Sequence, residues 1–313
     1  MINNIDVTLR DGGYQNNFSF TAEYAITHVE AMVKAGVEYV EIGYRNGSFK
    51  PIPNIGLTGI SPNKYIEKIH TNVPEAKLVI IAHPHNISES DIYDMKSAGV
   101  DTIRLCIKSD NTKPTLTLCE LAKKVGLNVC INVTRVSQVP TLSIIEMAQL
   151  CELSGADVLY LADSNGSLLP HDIANMTKVL MHTSKISVGF HPHDNLGLAM
   201  SNSIQAVNAG ATWIDSSLAG MGKGSGNLVL ETWLPYLNSC KKHNSKYDLA
   251  PIFTQLNTLK SNNCFSESKR NLIDIMLGIG NLSVEHKTEI EEVLLQDIHS
   301  ALNKVRSLQV NLA

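Results

Sequence analysis

Residues 153–163, LSGADVLYLAD, hold one complete structural unit: a helix-like ending, a glycine, a polar residue and a run of β-formers that stops at an aspartate. Four other stretches share this grammar, namely KAGVEYVEIG (34–43), SAGVDTIRLCI (97–107), KVGLNVCINV (124–133) and NAGATWIDSS (208–217). A glycine just past a helix adopts the left-handed conformation that closes the last turn without a Cβ clash. The β-rich run that follows is apolar on both faces, as in a parallel strand covered by helices. Residues 21–35, 112–125, 141–153 and 197–208 place apolar side chains three and four apart, which predicts amphipathic helices between the strands. A βα unit recurring every ~25–30 residues predicts parallel strands joined by helical crossovers.

Working outward, the candidate strands number eight, near residues 4–9, 37–43, 77–82, 100–107, 127–133, 156–162, 186–191 and 212–218. Eight closes a ring, so the α/β chain is read as a (β/α)8 TIM barrel over residues 1–244, close to the ~250 residues usual for that fold. An open doubly wound sheet fits the repeat too, and the count of eight favours the barrel. Residues 245–313 leave the repeat. They are read as a short C-terminal helical extension, packed on the barrel or at a subunit interface. Within it, 284–308 places Ile290, Val293, Leu294, Ile298, Leu302, Val305 and Leu308 on one helical face.

The balance of 43% hydrophobic and 18% charged residues is that of a folded globular chain. A net charge of −4 with no basic run argues against a nucleic-acid partner. The longest apolar runs, such as LVIIA (78–82), are far too short to span a bilayer, and the opening MINNIDVTLRD lacks the pattern of a secretory leader. Six scattered cysteines (106, 119, 130, 151, 240 and 264) form no C-x-x-C pair, several sit in apolar patterns, and a reducing cytoplasm is expected.

The working residues of such a barrel sit at the C-terminal ends of its strands. TLRDGG (8–13) ends the first strand, FHPHDN (190–195) the seventh, and SLAGMGKGSGN (217–227) follows the eighth. Residues i and i+2 of an extended chain face the same way, so His191 and His193 converge on one point. Ring closure brings strand one beside strand eight and near strand seven, which makes Asp11 the natural carboxylate of a two-imidazole metal site with open positions. Asn227 can add a carbonyl oxygen; a pair of hydrogen-bonded histidines without metal is the plainer alternative. A second H-x-H, His83-Pro84-His85, ends strand three, across the ring, and either reaches substrate or caps a helix. The glycine-rich run 220–226 lacks the context of a nucleotide site. It suits a close backbone approach at Gly222, with amides available to an anion. Glu41 faces the mouth or is held structurally. Arg104 and Lys108 on strand four either attract a substrate carboxylate or phosphate or, for Arg104, form an internal ion pair. Asp163 and Ser164 end strand six beside the site, as substrate contacts or as support for the metal.

TLRDGGY (8–14), YLADSNG (160–166), HPHDNLGLAMSNSIQAVNAGA (191–211) and DSSLAGMGKGSGNLVLE (215–231) resemble, in order, the motifs of the (β/α)8 metal-dependent lyases and aldolases that open with Arg-Asp. That superfamily includes hydroxymethylglutaryl-CoA lyase, the isopropylmalate and homocitrate synthases and 4-hydroxy-2-oxovalerate aldolase, and the last motif is closest to the aldolase. The resemblance implies that Asp11, His191 and His193 ligate Mn2+ or Mg2+ (Zn2+ or Co2+ as further options), with Asn227 close by, and that Arg10 stabilises an enolate oxygen. It implies a lyase acting on a 2-oxo acid and an aldehyde, in a homo-oligomer. A Claisen-type synthase and a silent metabolite-binding barrel are the alternatives. Three departures stand out. Tyr14 occupies the place of the aldolases' catalytic histidine, where it orients substrate or donates a proton; as a base it would need its pKa depressed. The tail lacks the aldolase region that contacts an acylating aldehyde dehydrogenase, so no such partner is expected. The loop cysteine of hydroxymethylglutaryl-CoA lyase is absent from 219–227.

Overall fold

The computed structural model describes residues 2–240, 246–261 and 270–310. Eight parallel strands close into a barrel in sequence order: β1 (Asn3–Asp6), β2 (Tyr39–Tyr44), β3 (Lys77–Ala82), β4 (Thr102–Ile107), β5 (Asn128–Val133), β6 (Val158–Asp163), β7 (Ser187–Pro192) and β8 (Trp213–Ser216). Closure is direct, since Asn3 to Asp6 pair with Trp213 to Ser216. The crossovers are α1 (Ala22–Lys34), α2 (Leu57–Ile60) with α3 (Asn63–Asn72), α4 (Glu89–Ser97), α5 (Lys113–Lys124), α6 (Thr141–Leu153), α7 (Pro170–Thr183) and α8 (Ala199–Ala209), followed by α9 (Leu230–Ser239). The open doubly wound alternative is therefore excluded. The five repeat glycines, 36, 99, 126, 155 and 210, all have positive φ, between 82° and 119°, the conformation in which any side chain would be strained.

Two strands, β1 and β8, stop earlier than the sequence suggests, at Asp6 and Ser216. β1 ends at Asp6, because the Thr8 hydroxyl bonds Asp6 Oδ1 at 2.6 Å and the Asp11 amide turns back to the Val7 carbonyl at 2.8 Å. Residues 8–11 thus curl over the barrel end instead of extending it. The Thr8 hydroxyl also accepts the Leu218 amide at 2.8 Å, which fastens this turn to the chain leaving β8.

Inside the ring, one layer is apolar and aromatic, with Ile5, Val7, Val79, Cys130, Val158 and Tyr160 packed together. Above it lies a charged layer of Glu41, Arg104 and Asp215, all fully buried. Higher still, Phe18, Tyr44, Ile81 and Cys106 form an aromatic wall at the mouth. The main core lies between strands and helices, outside the ring.

The extension begins by packing on the barrel. α10 (Leu249–Ser261) puts Ile252 and Leu259 into the main core. α11 (Leu272–Ile279), α12 (Lys287–Leu294) and α13 (Ile298–Val310) bury a separate cluster that includes Ile273, Met276, Leu277, Ile290 and Val305. The single apolar face expected over 284–308 is broken between α12 and α13. There Asp297 accepts the Ser300 amide at 2.9 Å and starts a new helix, leaving Ile298 exposed. This second cluster stands at the mouth of the barrel. Asn281 receives hydrogen bonds from Ser137, Gln138, Asn165 and Ser167, and Asn195 donates to the Asp274 carbonyl. Among the described residues no helix is long and apolar enough to cross a membrane.

Candidate metal centre

His191 and His193 leave the end of β7 on the same side, as alternation requires, and their rings lie 5.0 Å apart, nearly perpendicular. His191 Nδ1 faces Asp215 Oδ2 at 2.8 Å, and His193 Nδ1 faces the Gly226 carbonyl at 3.2 Å. With both Nδ1 atoms donating to oxygen, both Nε2 lone pairs are free to bind. They point at one carboxylate oxygen, Asp11 Oδ2, from 4.0 and 3.8 Å. The three groups are buried and offer ligand atoms within 4.8 Å of one another. Imidazoles oriented through their second nitrogen are the arrangement that metal sites use to fix tautomer and ring direction.

The surroundings also fit a cation. Asn227 Nδ2 donates to Asp11 Oδ2 at 2.8 Å and to the Met221 carbonyl at 2.9 Å, while its Oδ1 is buried without a partner among the described residues. A buried carbonyl oxygen left unpaired is costly, and a ligated ion would satisfy it. The buried guanidiniums Arg10 and Arg104 face three buried carboxylates, Asp11, Glu41 and Asp215, so the layer holds one negative charge in excess. Burial opposes ionisation of Asp11, but Arg10, His193 and His191 outweigh it and hold the carboxyl below the usual carboxylate range. Burial pushes the His193 imidazole down to about 4, so it stays neutral and able to ligate at physiological pH.

Arg10 donates from Nε to Glu41 Oε2 and from Nη1 to Asp11 Oδ1, both at 2.6 Å. Glu41 thus serves as its anchor. Gly222 lies against the cluster: a Cβ there would sit 2.5 Å from Asn227 Nδ2 and 2.8 Å from Asp11 Oδ2. Gly222→Ala is therefore expected to separate these two side chains and weaken Mn2+ binding by about 10–100-fold. Calorimetric titration of the apoprotein reads this, and an unchanged Kd would show that the close approach has no bearing on the metal.

The other candidates from the sequence take different places. Arg104 is wholly buried beneath the histidines and donates from Nη2 to Asp215 Oδ2 at 2.7 Å and from Nε to Asn132 Oδ1 at 3.2 Å. The internal ion pair is the geometry it adopts. Asp163 accepts the amides of Ser167 and Leu168 at 3.1 Å each, and burial nonetheless pushes it up to about 6. Ser164 Oγ accepts the Arg135 amide at 3.0 Å. Tyr14 meets Ser48 and, at 3.3 Å, Tyr44 through its hydroxyl. Burial raises its phenol above the ordinary value, the opposite of what a base needs. Cys106, Cys119, Cys130, Cys151 and Cys240 are free thiols, and Cys264 lies outside the described residues. Asp215 and Lys223 were not singled out as functional from the sequence.

His83 stacks on Tyr44 at 5.8 Å and lies 5.5 Å from His85. Burial, His85 and the cations Arg10, Lys108 and Lys223 pull its imidazole down to about 3. In the unfolded chain the same ring takes up a proton below its ordinary ~6.5. Stability attributable to His83 is therefore intact above that value and is lost as pH falls toward 3. Between pH 7.5 and 5 this amounts to about 2 kcal/mol. Urea unfolding of His83→Gln should show a correspondingly shallower loss over that interval, and parallel curves would remove His83 from the acid response.

Residues 1–259 match the model of the HMGL-like family. The chain belongs to the HMGL-like family. Curated relatives named 4-hydroxy-2-oxovalerate aldolase include those of Chloroflexus aggregans, 31% identical over 72% of this chain and 66% of its own length, and Thermus thermophilus, 32% identical over the same shares. The matches thus span just under two thirds of those relatives. Among solved structures, the N-terminal domain of a candidate aldolase from Bacteroides vulgatus superposes with a TM-score of 0.80 at 28% identity, covering 92% of this chain and 96% of that one. The HMG-CoA lyase of Bacillus subtilis shares the fold, with a TM-score of 0.72 at 17% identity over 87% and 96% of the two chains.

Proposed function

We propose that this HMGL-like protein is a divalent-metal-dependent class II aldolase that makes or breaks the carbon–carbon bond beside a 2-oxo acid, with a pyruvate-type enolate and a 4-hydroxy-2-oxo acid as substrate or product. The observation that carries the reading is the aim of His191 and His193 Nε2 at Asp11 Oδ2, with Arg10 on the other oxygen of the same carboxylate. The family and the name of the curated relatives support it. An oxygen- and nitrogen-donor set with open positions suits Mn2+ or Mg2+. Asp11, His191 and His193 would hold the ion, with Asn227 Oδ1 as a fourth donor. Once bound, such an ion supplies Lewis-acid polarisation of the 2-oxo acid carbonyl.

The remaining work falls to the chain itself. Arg10 is fixed through Nε and Nη1, while its Nη2 makes no hydrogen bond among the described residues. In this reading that donor meets charge as it develops on the enolate oxygen, from a preorganised and buried position. Tyr14 keeps its proton at neutral pH and offers it from Oη, backed by Ser48 and Tyr44. Tyr14→Phe is expected to slow aldol turnover by about 10²-fold or more, the usual span for a positioned acid, with metal affinity unaltered. A rate equal to wild type would leave the phenol without a chemical role. In this reading no aldehyde dehydrogenase partner is required, and the protein works in the cytoplasm as a homo-oligomer.

The direct test is deuterium exchange into the pyruvate methyl group in D2O, with Mn2+ or Mg2+ and with EDTA. Metal-dependent exchange is the expected result. Absence of exchange at saturating metal would overturn the pyruvate enolate.

A further inference from the structure

The mouth of the barrel is positive although the chain as a whole carries a charge of −4. The Lys108 ammonium stands 4.6 Å over the ring of Phe49, which in turn lies 5.4 Å from His83. The Lys223 ammonium stands 5.3 Å over the ring of Tyr14. Neither lysine forms an ion pair among the described residues. Lys50 and Arg135 approach the same rim and share a single carboxylate, Glu285, at 3.0 and 3.4 Å. Lys50 and Arg135 are thus answered by Glu285, whereas Lys108 and Lys223 make no close ion pair among the described residues.

The 2-oxo acid carboxylate belongs at the ion and Arg10, deeper in the barrel, and leaves this rim charge unanswered. A neutral aldehyde leaves it unanswered too. We infer that the carbonyl partner of the reaction is itself anionic, carrying a phosphate monoester or a carboxylate at the end remote from its carbonyl, and that Lys108 and Lys223 hold that group. The inference rests on the aldolase reading above and adds the substrate class to it. Lys223 has an additional reason to bind an anion. It is half-buried, and its backbone amide is already committed to Asp11 Oδ2 at 3.3 Å. A half-buried ammonium that makes no close ion pair among the described residues gains from a charged ligand. The aromatic rings under both ammoniums orient them without neutralising them.

The test uses the metal-loaded protein with pyruvate and four aldehydes: D-glyceraldehyde 3-phosphate, succinic semialdehyde, D-glyceraldehyde and butanal. One of the anionic aldehydes should exceed its neutral counterpart in kcat/KM by about 10²-fold, at roughly tenfold or more per charge-assisted contact. The phosphate and the carboxylate arms show which anion is meant. In Lys108→Ala and Lys223→Met the charged-to-neutral ratio should fall at least tenfold each. A second arm needs no turnover: calorimetry with 3-phosphoglycerate against glycerate should show phosphate-dependent binding that both variants lose and that weakens with added NaCl. If pyruvate protons exchange but charged and neutral aldehydes are used equally, and 3-phosphoglycerate binds no better than glycerate, the anion subsite is refuted and the aldolase reading stands. If pyruvate protons do not exchange while lysine-dependent 3-phosphoglycerate binding persists, the aldolase reading fails and the subsite stands.

Discussion

His193→Ala is expected to abolish tight Mn2+ binding and to reduce aldol turnover by at least about 10³-fold, because one of only two nitrogen donors disappears. The ring is not needed for folding in the same degree. It sits just past the end of β7, and its one hydrogen bond among the described residues goes to the Gly226 carbonyl. The variant should therefore unfold at nearly the wild-type urea midpoint when both are measured in EDTA, and should separate from wild type only when metal is added. His193 also sets how the site responds to acid. An imidazole must lose its proton to ligate, and burial has already pulled this one down to about 4. His193 itself should accordingly remain able to ligate well below pH 6.5, where an exposed histidine would be protonated. Full activity of His193→Ala in chelated buffer would dismiss the metal from the mechanism altogether.

The ease with which this site could be found in the sequence follows from strand periodicity. An H-x-H at a strand end must present both rings to one side, and ring closure must bring Asp11 to them. The repeat glycines were equally legible, since a left-handed residue after a helix has few other solutions. Parity at β8 was harder. That strand is only four residues long, too short for alternation to declare which face is inward, and Asp215 passed as part of a motif. Its partners are 24 and 111 residues away, His191 and Arg104, and no local pattern carries pairings of that span. The single apolar face read over 284–308 is interrupted for a related reason. A helical period over 284–308 is what two short helices folded against each other also produce, and Asp297 alone marks the break. Within the extension, α10 packs into the core of the barrel.

Arg104→Met is expected to be the most damaging substitution for the fold, by about 3–5 kcal/mol in urea unfolding. Burial opposes the charge of this guanidinium, but Asp215 and Glu41 outweigh it and hold it ionised, and it rests 4.2 Å over the ring of Tyr160. Methionine fills similar volume yet leaves both carboxylates buried beside one another without their shared cation. The consequence reaches the metal through one atom, since Asp215 Oδ2 accepts from Arg104 and also faces His191 Nδ1. Released from Arg104, Asp215 can shift, and His191 loses the restraint that aims its Nε2; a 10–100-fold weaker Kd is the usual result of such a loss. Linkage makes the two effects separable. Metal stabilises the folded state by RT ln(1 + [L]/Kd), so the stability gap between wild type and Arg104→Met should widen by about 1.4–2.7 kcal/mol on going from EDTA to saturating Mn2+. A gap of the same size in both buffers would confine Arg104 to the fold, and no gap in either would mean that Asp215 is buried as a neutral acid.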